Sequence, residues 1–86
     1  MSAYNKSKDI VSHRLPDGNL ALADTSSGVM VAINSIGEAV WLLADECPSL
    51  DAVAAEIADE MQVPLSQVIQ DVQSFSQSLR EHGLIR

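Results

Sequence analysis

Few side chains in this sequence could make or break bonds, and they stand far apart. Cys47 is the single cysteine. A cysteine nucleophile needs a base within hydrogen-bond reach, and no histidine or acid accompanies Cys47 at a recognisable spacing. A lone cysteine near a helix end reads as a small buried hydrophobe. The two histidines, His13 and His82, fall on different elements with no second ligand nearby, so they read as surface residues and not as a metal pair. Glu56, Asp59 and Glu60 cluster on one helical stretch and read as its solvated face. No phosphate-binding loop, G-x-G-x-x-G or H-E-x-x-H occurs. The expectation is a chain that is not an enzyme, with no catalytic residue, no metal ligand and no cofactor.

Composition narrows the remaining functions. Eighty-six residues make one domain, large enough for one core but not for a core plus a deep enzyme pocket. An apolar content of 47% with 20% charged residues says globular. The aromatics are Tyr4, Trp41 and Phe75 alone, so the expected core is aliphatic, built from Leu, Ile, Val, Ala and Met. The net charge is −7, and the five cations, Lys6, Lys8, Arg14, Arg80 and Arg86, are scattered. Binding to a nucleic-acid backbone needs clustered Lys and Arg, so neither nucleic acid nor an anionic membrane is an expected partner. One cysteine, no signal-peptide h-region in residues 1–9 and no apolar run of membrane-spanning length make the cytoplasm the expected compartment.

The elements follow from periodicity. Residues 1–9 are polar and read as a flexible N-terminal arm; residues 10–86 form the domain. Ile10 to Leu15 alternates weakly, Pro16-Asp17-Gly18-Asn19 is a turn, and Leu20 to Asp24 alternates with period two. Thr25-Ser26-Ser27-Gly28 turns the chain into a third strand, with Val29, Val31 and Ile33 on one face and Met30 and Ala32 on the other. Tight turns make this an antiparallel meander. Ser35 and Glu38 have the spacing of a capping box, so a first helix opens there, with Ile36, Ala39, Val40 and Leu43 as its stripe. Trp41 on that helix is either a core residue or a pocket wall. Ser49 caps a second helix, Val63-Pro64 ends it, and a third runs from about Leu65 to Gly83, the natural C′ residue. The predicted class is α+β, a three-stranded sheet followed by three helices, with the outline of a winged helix-turn-helix.

Such a scaffold offers recognition. A third strand at a sheet edge, stopped abruptly by a helix start, presents free N–H and C=O groups as a template for an incoming peptide. The outer face of the third helix is rich in Gln and Ser: Gln67, Gln70, Gln73, Ser74, Gln77 and Ser78. Uncharged polar groups cost less to cover than charges, so this face suits contact with another chain as well as with solvent.

Three blocks in order resemble a known family. They are Leu22-Ala23-Asp24 with Gly28, Ile33-Asn34, Gly37 and Val40-Trp41; then the short helix Leu50 to Met61; then Asp71-Val72, Phe75, Leu79 and Gly83-Leu84-Ile85. Together they resemble the PqqD-like family, the RiPP recognition elements, over about residues 10–86. The resemblance implies a winged-helix relative that binds the leader region of a ribosomally made precursor peptide and presents it to a maturation enzyme. The leader would pair as an extra strand with Val29, Met30, Val31, Ala32 and Ile33. It would rest on the third helix at Gln67, Gln70, Asp71, Ser74, Phe75 and Ser78. Members serving pyrroloquinoline-quinone synthesis, where the partner is a radical SAM enzyme, usually carry a longer apolar second strand and a Pro-Glu turn. The D-x-x-x-G turn from Asp24 to Gly28, Gly37 in place of Ala and Trp41 look more like stand-alone lasso-peptide elements, whose partner is a transglutaminase-like cysteine protease. The aromatic residue common on the third strand of that type is Met30 or Val31 here. A winged-helix DNA-binding regulator is the remaining alternative, and it lacks the basic third helix it would need.

Overall fold

The computed structural model describes residues 2–86. Three strands, β1 (Ile10–Arg14), β2 (Leu20–Asp24) and β3 (Met30–Ile33), precede three helices, α1 (Ser35–Leu43), α2 (Leu50–Met61) and α3 (Leu65–Glu81). The sheet order is β1-β2-β3, antiparallel throughout, so β1 and β3 are both edges. The register pairs Ser12 with Leu22 and Leu22 with Val31. That parity puts Leu20, Leu22, Val31 and Ile33 on the face that packs on the helices, and Val11, His13, Ala21, Ala23, Met30 and Ala32 on the other. Leu22, Ile57, Leu79 and Leu84 are fully buried, each contributing about 1.5–3 kcal/mol through removal from water. The methionine expectation fails: Met30 and Met61 are exposed, because each sits on an outward face.

Local chemistry sets the element ends. Gly18 and Gly28 adopt φ of +92° and +79° in the two strand turns, conformations a side chain disfavours. The carboxylate of Asp24 accepts from the N–H of Ser26 at 2.9 Å and from its hydroxyl at 2.7 Å, which folds the β2–β3 turn onto its own strand. Ser49 caps α2 through the Ala52 N–H. At the end of α3, Gly83 takes φ +77° and the Leu84 N–H reaches the Leu79 carbonyl at 2.9 Å.

Two expectations are corrected. The cap of α1 is Asn34, not Ser35: its side chain accepts from the Gly37 N–H at 2.9 Å. Asn34 has the extended backbone that a cap needs while Ser35 is already helical. Glu38 therefore does not reach back to the helix start; it forms a two-pronged pair with Arg14 at 2.6 and 2.9 Å. Nor is the N-terminal stretch a loose arm. Tyr4 is buried in the core beside Trp41, with ring centroids 6.2 Å apart. Ser76 donates to the Val72 carbonyl at 2.7 Å, so the Tyr4 hydroxyl, 2.6 Å from Ser76 Oγ, is the donor in that contact. Lys6 bridges to Ile85, lies 3.9 Å above the Trp41 ring and pairs with Asp45 at 2.9 Å. One apolar ring and one amphipathic lysine override the polar composition around them.

Candidate functional site

The open edge of β3 begins with its hydrogen-bond parity. The Asp24 N–H donates to the Val29 carbonyl at 2.9 Å. Bonds alternate along an antiparallel pair, so Val31 and Ile33 turn their backbone groups to β2, while Met30 and Ala32 turn theirs to the open edge. Val29 itself lies just before β3. The edge offers backbone donors and acceptors from two residues to an added strand.

Beside this edge lies a depression of about 300 Å³ lined by Asn34, Ile36, Gly37, Val40, Asp71, Ser74 and Phe75. Its walls are the first turns of α1 and the middle of α3. Gly37 lets the walls meet closely. A Cβ built there would lie 3.1 Å from Phe75 Cε1 and 3.2 Å from Ile33 Cβ, so the Phe75 ring rests on bare helix backbone. The base is apolar and the rim, Asn34, Asp71 and Ser74, is polar. A second, shallower shelf continues along α3, lined by Ser66, Gln67, Ile69, Gln70, Asp71 and Gln73. Asp71 lines both. It is exposed and makes no side-chain hydrogen bond or ion pair among the described residues.

Of the residues expected on α3, Asp71, Ser74 and Phe75 converge on the depression, and Gln67 and Gln70 flank it on the shelf. Ser78 lines neither; it is half-buried a turn beyond, and its carbonyl accepts from the His82 N–H at 3.1 Å. Periodicity in α3 does not point to the wall from Asn34 to Val40. The signal available was Asn34, a strong capping type immediately before the helix. Trp41 does not line the depression; it is buried on the side of α1 facing Tyr4.

The titratable groups nearby serve the frame. Hydrogen bonds from Arg14 hold the Glu38 carboxyl below its usual range, and the same contact raises Arg14. The Ser26 hydroxyl and then the Ser26 N–H, helped by Ser27 and Ser7, hold Asp24 below the usual carboxylate range against the opposing effect of burial. Burial raises the Tyr4 phenol above its ordinary value, opposed by its bond to Ser76. Among the described residues no cluster of His, Cys, Asp or Glu could hold a metal ion, and no helix is long and apolar enough to cross a membrane.

The family model for coenzyme PQQ synthesis protein D matches residues 19–85. This chain belongs to the PqqD family. The match spans all the elements that form the groove, from β2 to the end of α3. Among solved structures, a lasso peptide synthetase B1 complexed with its leader peptide superposes with a TM-score of 0.83 at 20% identity, over 99% of both chains. TbiB1 in complex with the TbiA(beta) leader peptide superposes with a TM-score of 0.81 at 22% identity, over 95% of this chain and 94% of that one. At such identity the likeness establishes a shared fold: a PqqD-type meander followed by three helices. Nothing among curated proteins matches the chain.

Proposed function

We propose that this PqqD-family chain is a non-catalytic adaptor that captures the leader segment of a ribosomally synthesised precursor peptide and hands it to a maturation enzyme. The observation that carries the reading is the open β3 edge beside a groove with an apolar base, in a fold that leader-bound lasso peptide synthetase B1 shares over its whole length. The leader adds as a strand along Met30 to Ile33, and its inward side chains enter the space between α1 and α3. New backbone bonds contribute about 0.5–1.5 kcal/mol each, while ordering a disordered segment costs about 2–5 kcal/mol or more. Strand pairing alone is therefore near break-even. Side chains buried in the groove, at about 1.5–3 kcal/mol each, supply the affinity and the choice of sequence.

The D-x-x-x-G turn held by Asp24 and the full-length superposition favour a stand-alone lasso-type element, whose partner is a leader protease of the transglutaminase-like cysteine class. The family description keeps a peptide chaperone for a radical SAM enzyme as the second reading. The test is titration with a panel of short synthetic leader peptides from ribosomally made precursors, with random duplex DNA as the control. Saturable binding that shifts the NMR amide signals of β3, α1 and α3 supports the adaptor; binding of DNA and not peptide refutes it.

A further inference from the structure

We propose that the groove selects a basic residue in the bound peptide, with the methylene stem of a Lys or Arg lying on Ile36 and Phe75 and its cationic head on Asp71. The inference rests on the peptide-docking reading and refines it to a class of side chain. Asp71 stands where the apolar depression meets the polar shelf, and it is the residue common to both linings. A peptide that runs from one into the other must cover it. Covering a carboxylate strips water from it, and a covered charge without a partner is strongly unfavourable.

The protein supplies no such partner. Neither lining contains Lys or Arg, and Asp71 has no ion pair among the described residues. Arg14 is held by Glu38 and Lys6 by Asp45. The net charge of −7 biases the whole surface in the same direction. The countercharge must therefore come with the ligand. The shape agrees: an apolar base of Gly37, Val40 and Phe75, with the exposed Ile36 at its side and one carboxylate, Asp71, on the polar rim, matches a long side chain with an apolar stem and a charged tip. A short hydroxyl would reach the rim and leave the base empty; a plain aliphatic residue would fill the base and leave the carboxylate covered and unpaired.

The experiment is selection of random dodecapeptides displayed on phage against the immobilised full chain, alongside Asp71→Asn and Asp71→Lys. The expected result is a Lys or Arg at one fixed position among wild-type binders, no such preference with Asp71→Asn, and an acidic residue there with Asp71→Lys. A selected peptide should then lose about tenfold in affinity when its basic residue becomes norleucine, which keeps the stem. That loss should vanish in Asp71→Asn, as a coupled pair requires. Binders with no shared basic position, or equal affinity for wild type and Asp71→Asn, overturn the basic-residue assignment while the docking site stands. No binders at all, or binders indifferent to a block of the β3 edge by Ala32→Pro, overturn the docking reading and this inference with it.

Discussion

Two proline substitutions one residue apart should have opposite consequences. Ala32 turns its N–H to the open edge of β3, whereas Val31 turns its N–H to β2 opposite Leu22. Proline removes the donor and places a ring where it stood. At Ala32, no bond within the domain is lost, and edge positions tolerate proline. An added strand loses one bond of about 0.5–1.5 kcal/mol, and the ring also obstructs its approach. Leader affinity should fall about tenfold or more, with a melting temperature within a few degrees of wild type. At Val31, proline breaks a ladder bond and leaves the carbonyl of fully buried Leu22 unpaired, at about 1–3 kcal/mol for the orphaned group alone. For a domain of this size each kcal/mol shifts the melting temperature by about 4–8 °C, so a fall of about 10 °C or more is expected. Ser12→Pro on the outer edge of β1, which also turns its N–H to solvent, is the control and should alter neither quantity appreciably. Calorimetric titration and thermal melts on the same samples decide the matter. If Ala32→Pro binds the leader as wild type does, or Ser12→Pro abolishes binding, the assignment of the docking edge is wrong.

Other perturbations test the frame of the groove. Gly37→Ala gains about 0.5–1 kcal/mol of helix propensity but must push Phe75 or Ile33 aside, so leader affinity should drop several-fold while the melting temperature changes by only a few degrees; titration and melting read the two separately. Tyr4→Phe removes the donor to Ser76 yet leaves the Ser76 bond to Val72, a loss of about 1 kcal/mol or about 4–8 °C in melting temperature. Because burial raises the Tyr4 phenol, its contribution is complete below about pH 10 and is lost as pH rises through the folded value; the alkaline fall in melting temperature should be shallower in Tyr4→Phe. Asp24 behaves in the opposite sense. Its folded value is depressed, so its contribution is complete above about pH 4 and is lost as pH falls through the folded value, and Asp24→Asn should flatten the acid limb of melting temperature against pH.

The elements whose signals are local were legible in the sequence. Alternation gave β2, and the caps Ser49 and Gly83 marked ends of α2 and α3 where the structure has them. What escaped depends on contacts between distant residues. Glu38 had an ideal local partner three residues back, but a guanidinium 24 positions away makes a two-pronged bond that a backbone N–H does not match. Tyr4 meets Ser76 across 72 positions, and no periodicity in a mostly polar N-terminal stretch announces one buried ring. Leu65 is apolar yet exposed, because it starts α3 beyond the packed turns. The groove shows the same division. Asp71, Ser74 and Phe75 were reached through the family resemblance, whereas the Asn34 to Val40 wall depends on how closely α1 approaches α3, which Gly37 permits.

The seam formed by Tyr4, Lys6 and Trp41 also makes the protein its own optical instrument. The chain has one tyrosine and one tryptophan, and the fold sets them side by side with their rings 6.2 Å apart. Light absorbed by the phenol passes to the indole over such a gap, so emission excited through tyrosine reports docking of the N-terminal stretch on α1 and not merely the presence of helix. The Lys6 ammonium lies 3.9 Å above the indole face, and a Lys6→Met variant tests its effect on that emission. The same α1 that carries this reporter forms one wall of the groove through Ile36, Gly37 and Val40, the neighbour of Trp41. An untagged, unlabelled sample can therefore be watched, in real time, for whether an occupant of the groove is felt at the indole.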